Sequence, residues 1–178
     1  MSGWEGAPIP PSRLQALLRD DAGKRTYSLG KTQRPPRGLA RAFEDYLRAP
    51  LGTRVNSVEE VLAFLAGCRY AKDRDVHGRE ELWLHPEDFE RLRVGDCEDH
   101  ALWAWVQCVR LGLSARFMVG YHKEGGHAWV TLHYRDGSVV VLESTAGRPG
   151  AFLIASADAV RYEPLWSVDG ELRFRWHG

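Results

Sequence analysis

The spacing of apolar residues changes character along this chain, and the change divides it. From Gly38 onward Leu39, Ala42, Phe43, Tyr46 and Leu47 recur every three or four positions, the period of an amphipathic helix ending before Pro50. Ser57-Val58-Glu59-Glu60 then reads as a capping box, in which Ser57 accepts from the N–H three residues on and Glu60 reaches back. The helix it opens carries Val61, Leu62, Phe64 and Leu65. Residues 71–82 are polar and read as loop, and Pro86 suits the first turn of a short helix over Glu87 to Leu92. A longer helix follows, with Asp96 as N-cap, Asp99 at the third helical position and Gly112 just past its end. On it Cys97, Ala101, Ala104, Cys108 and Leu111 share one stripe, and the two alanines let a sheet pack closely.

Past Gly112 the period shortens to two. Residues 114–121 read as a strand, 127–134 and 138–145 as a hairpin, and a last hairpin is expected around Asp169-Gly170 with Trp166 and Trp176 near its arms. Helices followed by antiparallel strands give an α+β class, with the long helix packed on an antiparallel sheet. Residues 1–11 are rich in Gly and Pro, Ser12 to Asp20 suits a short helix, and residues 30–38, with Pro35-Pro36, read as loop. The 178 residues thus form a single domain, 1–178, in which 1–38 is a partly irregular N-terminal extension.

Composition narrows the functions available. Lys+Arg and Asp+Glu balance at 24 each, which excludes the basic surplus of a nucleic-acid binder. No apolar run approaches the ~20 residues of a membrane-spanning helix. The first residues lack the basic and apolar segments of a signal peptide, so a cytoplasmic location is expected. Three cysteines, Cys68, Cys97 and Cys108, make an odd count without a C-x-x-C pair, which argues against a disulfide framework or a structural zinc site. A reducing compartment suits a free catalytic thiol. Oligomeric state is not readable from the chain.

One of those thiols stands apart. Cys97 lies in Gly95-Asp96-Cys97-Glu98-Asp99-His100-Ala101, at the start of the long helix. A thiolate there is favoured by the helix N-terminus and by a neighbouring imidazolium, which together lower a thiol pKa from about 8.5 to about 3.5–7.5. The backbone N–H of Cys97 can also face an oxyanion. Cys68 and Cys108 fall within helices and suit inert packing. His127 follows Gly125-Gly126, which leaves backbone room for a substrate, and opens a strand. His100, three residues after Cys97, projects from the helix flank and ranks second as a base.

Glu143 is placed by hairpin register. If Arg135-Asp136-Gly137 is a three-residue loop with Gly137 left-handed, Tyr134 pairs with Ser138 and Trp129 lies opposite Glu143. His127, Trp129, Glu143 and Thr145 then share one face, and Glu143 is a diagonal neighbour of His127. A two-residue Asp136-Gly137 loop would turn Glu143 to the other face. Cys97, His127 and Glu143 are the candidate catalytic triad. Trp129 either lines the substrate groove or belongs to the core.

From about Trp83 to Thr145 the chain resembles the transglutaminase-like cysteine peptidase superfamily, which has a papain-like core. The resemblance rests on the Cys97 motif, Leu111-Gly112-Leu113-Ser114-Ala115-Arg116, Gly126-His127-Ala128-Trp129-Val130 and Leu142-Glu143-Ser144-Thr145. Trp83 with Pro86-Glu87 is similar to the bacterial transglutaminase-like cysteine proteinases. The family usually has Asp where this chain has Glu143, one methylene longer. The resemblance implies a cysteine-dependent amide hydrolase, a peptidase or deamidase, acting on a protein or peptide. It equally admits a transglutaminase-type acyltransferase joining Gln to amines, or a silent binding module. No cofactor is required. Some relatives bind calcium through acidic residues matching Asp96, Glu98 and Asp99, but calcium takes six to eight oxygens and helix capping already accounts for two of the three. Residues 1–80 lie outside the resemblance.

Overall fold

A computed structural model describes residues 37–78, 82–123, 125–145, 152–155 and 161–177. The short helix expected over Ser12 to Asp20 lies outside them, as does most of the loop expected over 30–38. The helical pattern read from Gly38 begins at Arg37: α1 spans Arg37–Leu47. Then come α2 (Val58–Ala66), β1 (Arg69–Tyr70), α3 (Asp73–His77), α4 (Pro86–Leu92), β2 (Val94–Gly95) and α5 (Cys97–Arg110). The rest is strand: β3 (Ala115–His122), β4 (Gly125–His133), β5 (Val139–Glu143), β6 (Phe152–Ala155), β7 (Tyr162–Asp169) and β8 (Phe174–Trp176).

The six long-range strands form one antiparallel sheet in the order β6-β5-β4-β3-β7-β8. Trp166 pairs with Trp176 in the last hairpin, as its turn signal implies. The expected α+β class is therefore the observed one. The polar run 71–82 departs from expectation, since Asp73–His77 coils into a short helix closed by Gly78 in the left-handed region. The Ser57 cap forms as read, accepting from Glu60 N at 3.2 Å. Glu60, however, reaches back one residue further than expected and accepts from Asn56 N at 2.9 Å.

Helix α5 differs most from its sequence reading. A single buried stripe was expected, yet every residue from Glu98 to Cys108 is buried. The reason is its position between two layers. Ala128, Val130 and Leu132 of β4 and Phe117 of β3 pack on it from the sheet, in one core with Phe43 of α1 and Phe64 of α2. Trp103 stacks on Phe64 with ring centroids 3.9 Å apart, while Trp105 meets Phe43 edge-on at 5.6 Å. The opposite sheet face carries a smaller cluster of Met118, Trp129 and Val141.

Candidate active site

The chain is delivered to the start of α5 by a parallel two-strand ladder, in which Arg69 pairs with Val94 and Tyr70 with Gly95. Gly95 is needed there because the Asp99 side chain folds back against it, and a Cβ would lie 2.4 Å from Asp99 Oδ2. Asp99 Oδ2 accepts from Asp96 N at 3.2 Å and Oδ1 from Leu84 N at 2.7 Å. A fully buried carboxylate thus ties the helix start to the segment before α4. Burial holds its pKa well above the usual range, with the Asp96 charge adding to the shift.

Cys97, at the first helical position, donates its thiol to Glu98 Oε2 at 3.1 Å, and its sulfur also meets the backbone N–H of Ala128. That contact sets the sulfur beside the residue that follows His127. The lowered thiol pKa expected at a helix N-terminus is not what this environment produces. Burial pushes it well up, and the charges of Glu98 and Asp96 push it further; the Ala128 N–H opposes them. Desolvation of the half-buried sulfur, with two flanking carboxylates, outweighs one helix end. Glu98 is itself raised to about 7 by burial, against hydrogen bonding from Asp96 and with the Asp99 charge adding to it.

The β4–β5 hairpin turns through the three-residue loop. Tyr134 N donates to Ser138 O at 2.9 Å, Gly137 N to Tyr134 O at 3.1 Å, and Gly137 has φ 86°. The ladder then pairs Val130 with Leu142 and Thr131 with Val141. Side-chain alternation sets His127, Trp129 and Glu143 on one face of the hairpin. His127 Nε2 lies 2.8 Å from Glu143 Oε2. Glu143 Oε1 accepts from Thr145 N at 2.9 Å and Thr145 Oγ1 at 2.8 Å, and Oε2 accepts from Tyr162 Oη at 2.7 Å. Burial alone would raise the Glu143 pKa, but the donors from His127, Tyr162 and Thr145 prevail and bring it to about 2. An ionised partner means that His127 carries a proton on Nε2 and presents Nδ1 as its other nitrogen. Gly125 and Gly126 stand in open space: nothing lies within 4 Å of a Cβ built on either.

Other candidates are not drawn into this arrangement. His100 does not project from the flank but is buried, its Nδ1 2.7 Å from Asp96 O and its ring 4.6 Å from that of Phe89. Burial lowers its pKa to about 4, against the pull of the Asp96 carbonyl and the Glu143 charge. It is a structural imidazole. Trp129 is buried in the outer-face cluster and lines no groove. His133 bonds Thr131 and His177 bonds Ser167, both at 2.9 Å, while His85 caps α4. Tyr162 was missed: it arrives beside Glu143 through the pairing of β7 with β3, where it lies opposite His122. No local pattern around Tyr162 signals that pairing.

Two groups of side chains bear on calcium, Asp73, Asp96 and Asp99 in one and Asp96 and Glu98 with the Cys97 thiol in the other, each with ligand atoms within 4.8 Å. Both Asp99 oxygens and Asp73 Oδ2 accept from backbone N–H groups, and Glu98 Oε2 accepts from Cys97. As arranged, the set falls short of the six to eight oxygens that calcium takes.

Residues 81–168 match a family model described as the CEP76 peptidase-like domain. A 71-residue stretch is 37% identical to the centrosomal protein of 76 kDa of Mus musculus, covering 39% of this chain and 11% of that protein. The match thus spans about a tenth of the relative's length. Calcium-bound LapG of Legionella pneumophila superposes with a TM-score of 0.56 at 18% identity, over 76% of each chain. A second LapG structure gives 0.56 at 17% identity, over 97% of this chain and 90% of that one. At such identities the likeness establishes the fold.

Proposed function

We propose that this chain, whose residues 81–168 match a peptidase-like family model and whose fold is shared with LapG, is a cysteine-dependent amide hydrolase of the transglutaminase-like superfamily acting on a protein or peptide. The observation that carries the reading is the 2.8 Å bond between His127 Nε2 and Glu143 Oε2, with the Cys97 sulfur against the N–H of the next residue, Ala128. Glu143 holds the tautomer, so that Nδ1 of His127 takes the thiol proton. Cys97 attacks the carbonyl carbon, and the tetrahedral oxyanion is stabilised by the backbone N–H of Cys97 at the helix start. Nδ1 returns the proton to the leaving amine, leaving a thioester on Cys97. Water activated by His127 then attacks the thioester, releasing the acid and restoring the thiol. An amine in place of water would give the acyltransfer reaction of a transglutaminase.

The Glu-for-Asp departure does not argue against this role. The longer side chain is accommodated, because Thr145 holds its inner oxygen and Tyr162 its outer one. The environment of Cys97 favours a second reading. A thiol pKa raised by desolvation and further by the Glu98 and Asp96 charges also suits a silent binding module that keeps the fold. Incubation with a peptide library, followed by mass spectrometry, separates the two. Cleavage or deamidation lost in Cys97→Ala supports the hydrolase, and products indistinguishable from those of Cys97→Ala support the silent module.

A further inference from the structure

We propose that His122, His127 and Glu143 form a reversible zinc site that switches off the thiol chemistry. One nitrogen from each imidazole and one carboxylate oxygen lie within 4.8 Å of one another. Two imidazoles and a carboxylate, with a fourth position left for water, are a donor set that zinc takes. The three residues come from successive strands at one end of the sheet. His122 ends β3, where it pairs with Gly125, while Gly120 pairs with His127. No side chain from Gly120, Gly125 or Gly126 stands between the imidazoles, whose ring centroids are 5.4 Å apart. His122 and His127 are both partly exposed, so an ion can reach them from solvent.

The site also has outer support, which metal sites need in order to aim their ligands. Tyr162 stacks on the His122 ring at 4.3 Å and 12° and donates to Glu143 Oε2. Thr145 fixes Glu143 Oε1 with two donors, leaving Oε2 toward the imidazoles. Binding asks the three groups to draw together. Ligated through Nε2, His127 keeps its proton on Nδ1 and cannot accept one from Cys97. That inhibition rests on the triad reading, whereas the binding does not.

The test is a zinc titration of the metal-free full chain against a chromogenic chelator, repeated with cobalt for its absorption spectrum. The expected result is one zinc per chain in the wild type and in Cys97→Ala, and none in His122→Ala or His122→Gln, with folding checked by circular dichroism. Tyr162→Phe should bind about tenfold more weakly, the usual cost of losing an outer partner. The cobalt spectrum should lack a thiolate charge-transfer band. Zinc should slow iodoacetamide labelling of Cys97 in the wild type and leave that of His122→Ala at its metal-free rate. The proposal is overturned if the wild type binds no zinc or if the His122 variants bind as the wild type does. It is equally overturned if binding is lost with Cys97→Ala, which would put the ion on the thiol. Failure of the triad reading would look different: metal-free labelling of Cys97 would then be unchanged by His127→Ala.

Discussion

At the hairpin, a buried carboxylate receives four hydrogen bonds, from His127, Tyr162 and twice from Thr145. At the start of α5, a half-buried thiol receives one backbone N–H and faces two carboxylates. Desolvation acts on both groups in the same direction, against charge. The donors around Glu143 overcome it and keep the group ionised, while the neighbours of Cys97 reinforce it and keep the thiol protonated. Burial alone therefore does not decide whether a group in this site is charged; its hydrogen-bond partners do. The His127–Glu143 pair is preorganised by hydrogen bonds, whereas the Cys97 thiol faces negative charge.

Removing the nucleophile breaks the comparison most completely. Cys97→Ala should lower turnover by on the order of 10⁶, as loss of a nucleophile does elsewhere. It should leave the melting temperature nearly unchanged, because the thiol contributes little packing. Glu143→Gln comes next. An amide favours the wrong tautomer and cannot stabilise the imidazolium, so kcat should fall by on the order of 10⁴. The same variant should alter acid stability. The folded pKa of Glu143 lies at about 2 against an ordinary value of 4.5, so its contribution is full above that value and is lost as pH falls toward 2. Urea titrations at pH 7 and pH 3 should therefore show a smaller pH dependence in Glu143→Gln than in the wild type. An equal dependence would mean that the carboxylate is not stabilised as described.

Most of these parts were visible in the chain because they are local. The Cys97 motif and its caps lie within a few residues, and Gly137 fixed the hairpin loop, which in turn set Glu143 on the His127 face. What escaped was non-local. Tyr162 meets Glu143 only because β7 crosses to pair with β3, and β6 was not anticipated at all. The protonated state of Cys97 was misread for a related reason. The helix end and the imidazole are local aids, whereas burial at the junction of α5 and β4 depends on the whole fold. His100 was misplaced likewise, since Phe89 reaches it from a separate helix.

Smaller effects sharpen the contrast. Tyr162→Phe removes one charge-assisted hydrogen bond, worth about 1.5–3 kcal/mol, from the Glu143 carboxylate. The acid limb of activity should move to higher pH, and Tyr162→Phe should leave kcat well above that of Glu143→Gln. Equal losses in the two would show that the tyrosine does more than steady the carboxylate. Glu98→Gln acts at the other half of the site by removing the carboxylate that accepts from the thiol and that is partly ionised at pH 7. It should speed iodoacetamide labelling of Cys97 at pH 7 by a few-fold, with Cys68 and Cys108 as internal references. Unchanged or slower labelling would contradict the contribution of Glu98 to the raised thiol pKa.

The central claim is that His127, steadied by Glu143, is the base for Cys97. It is tested most directly by the rate of Cys97 alkylation between pH 5 and 8, read by mass spectrometry in metal-free wild type, His127→Ala and the matched control His100→Ala. The account predicts slow labelling with an altered pH profile in His127→Ala, and near wild-type behaviour in His100→Ala. Superimposable profiles for the wild type and His127→Ala would contradict it.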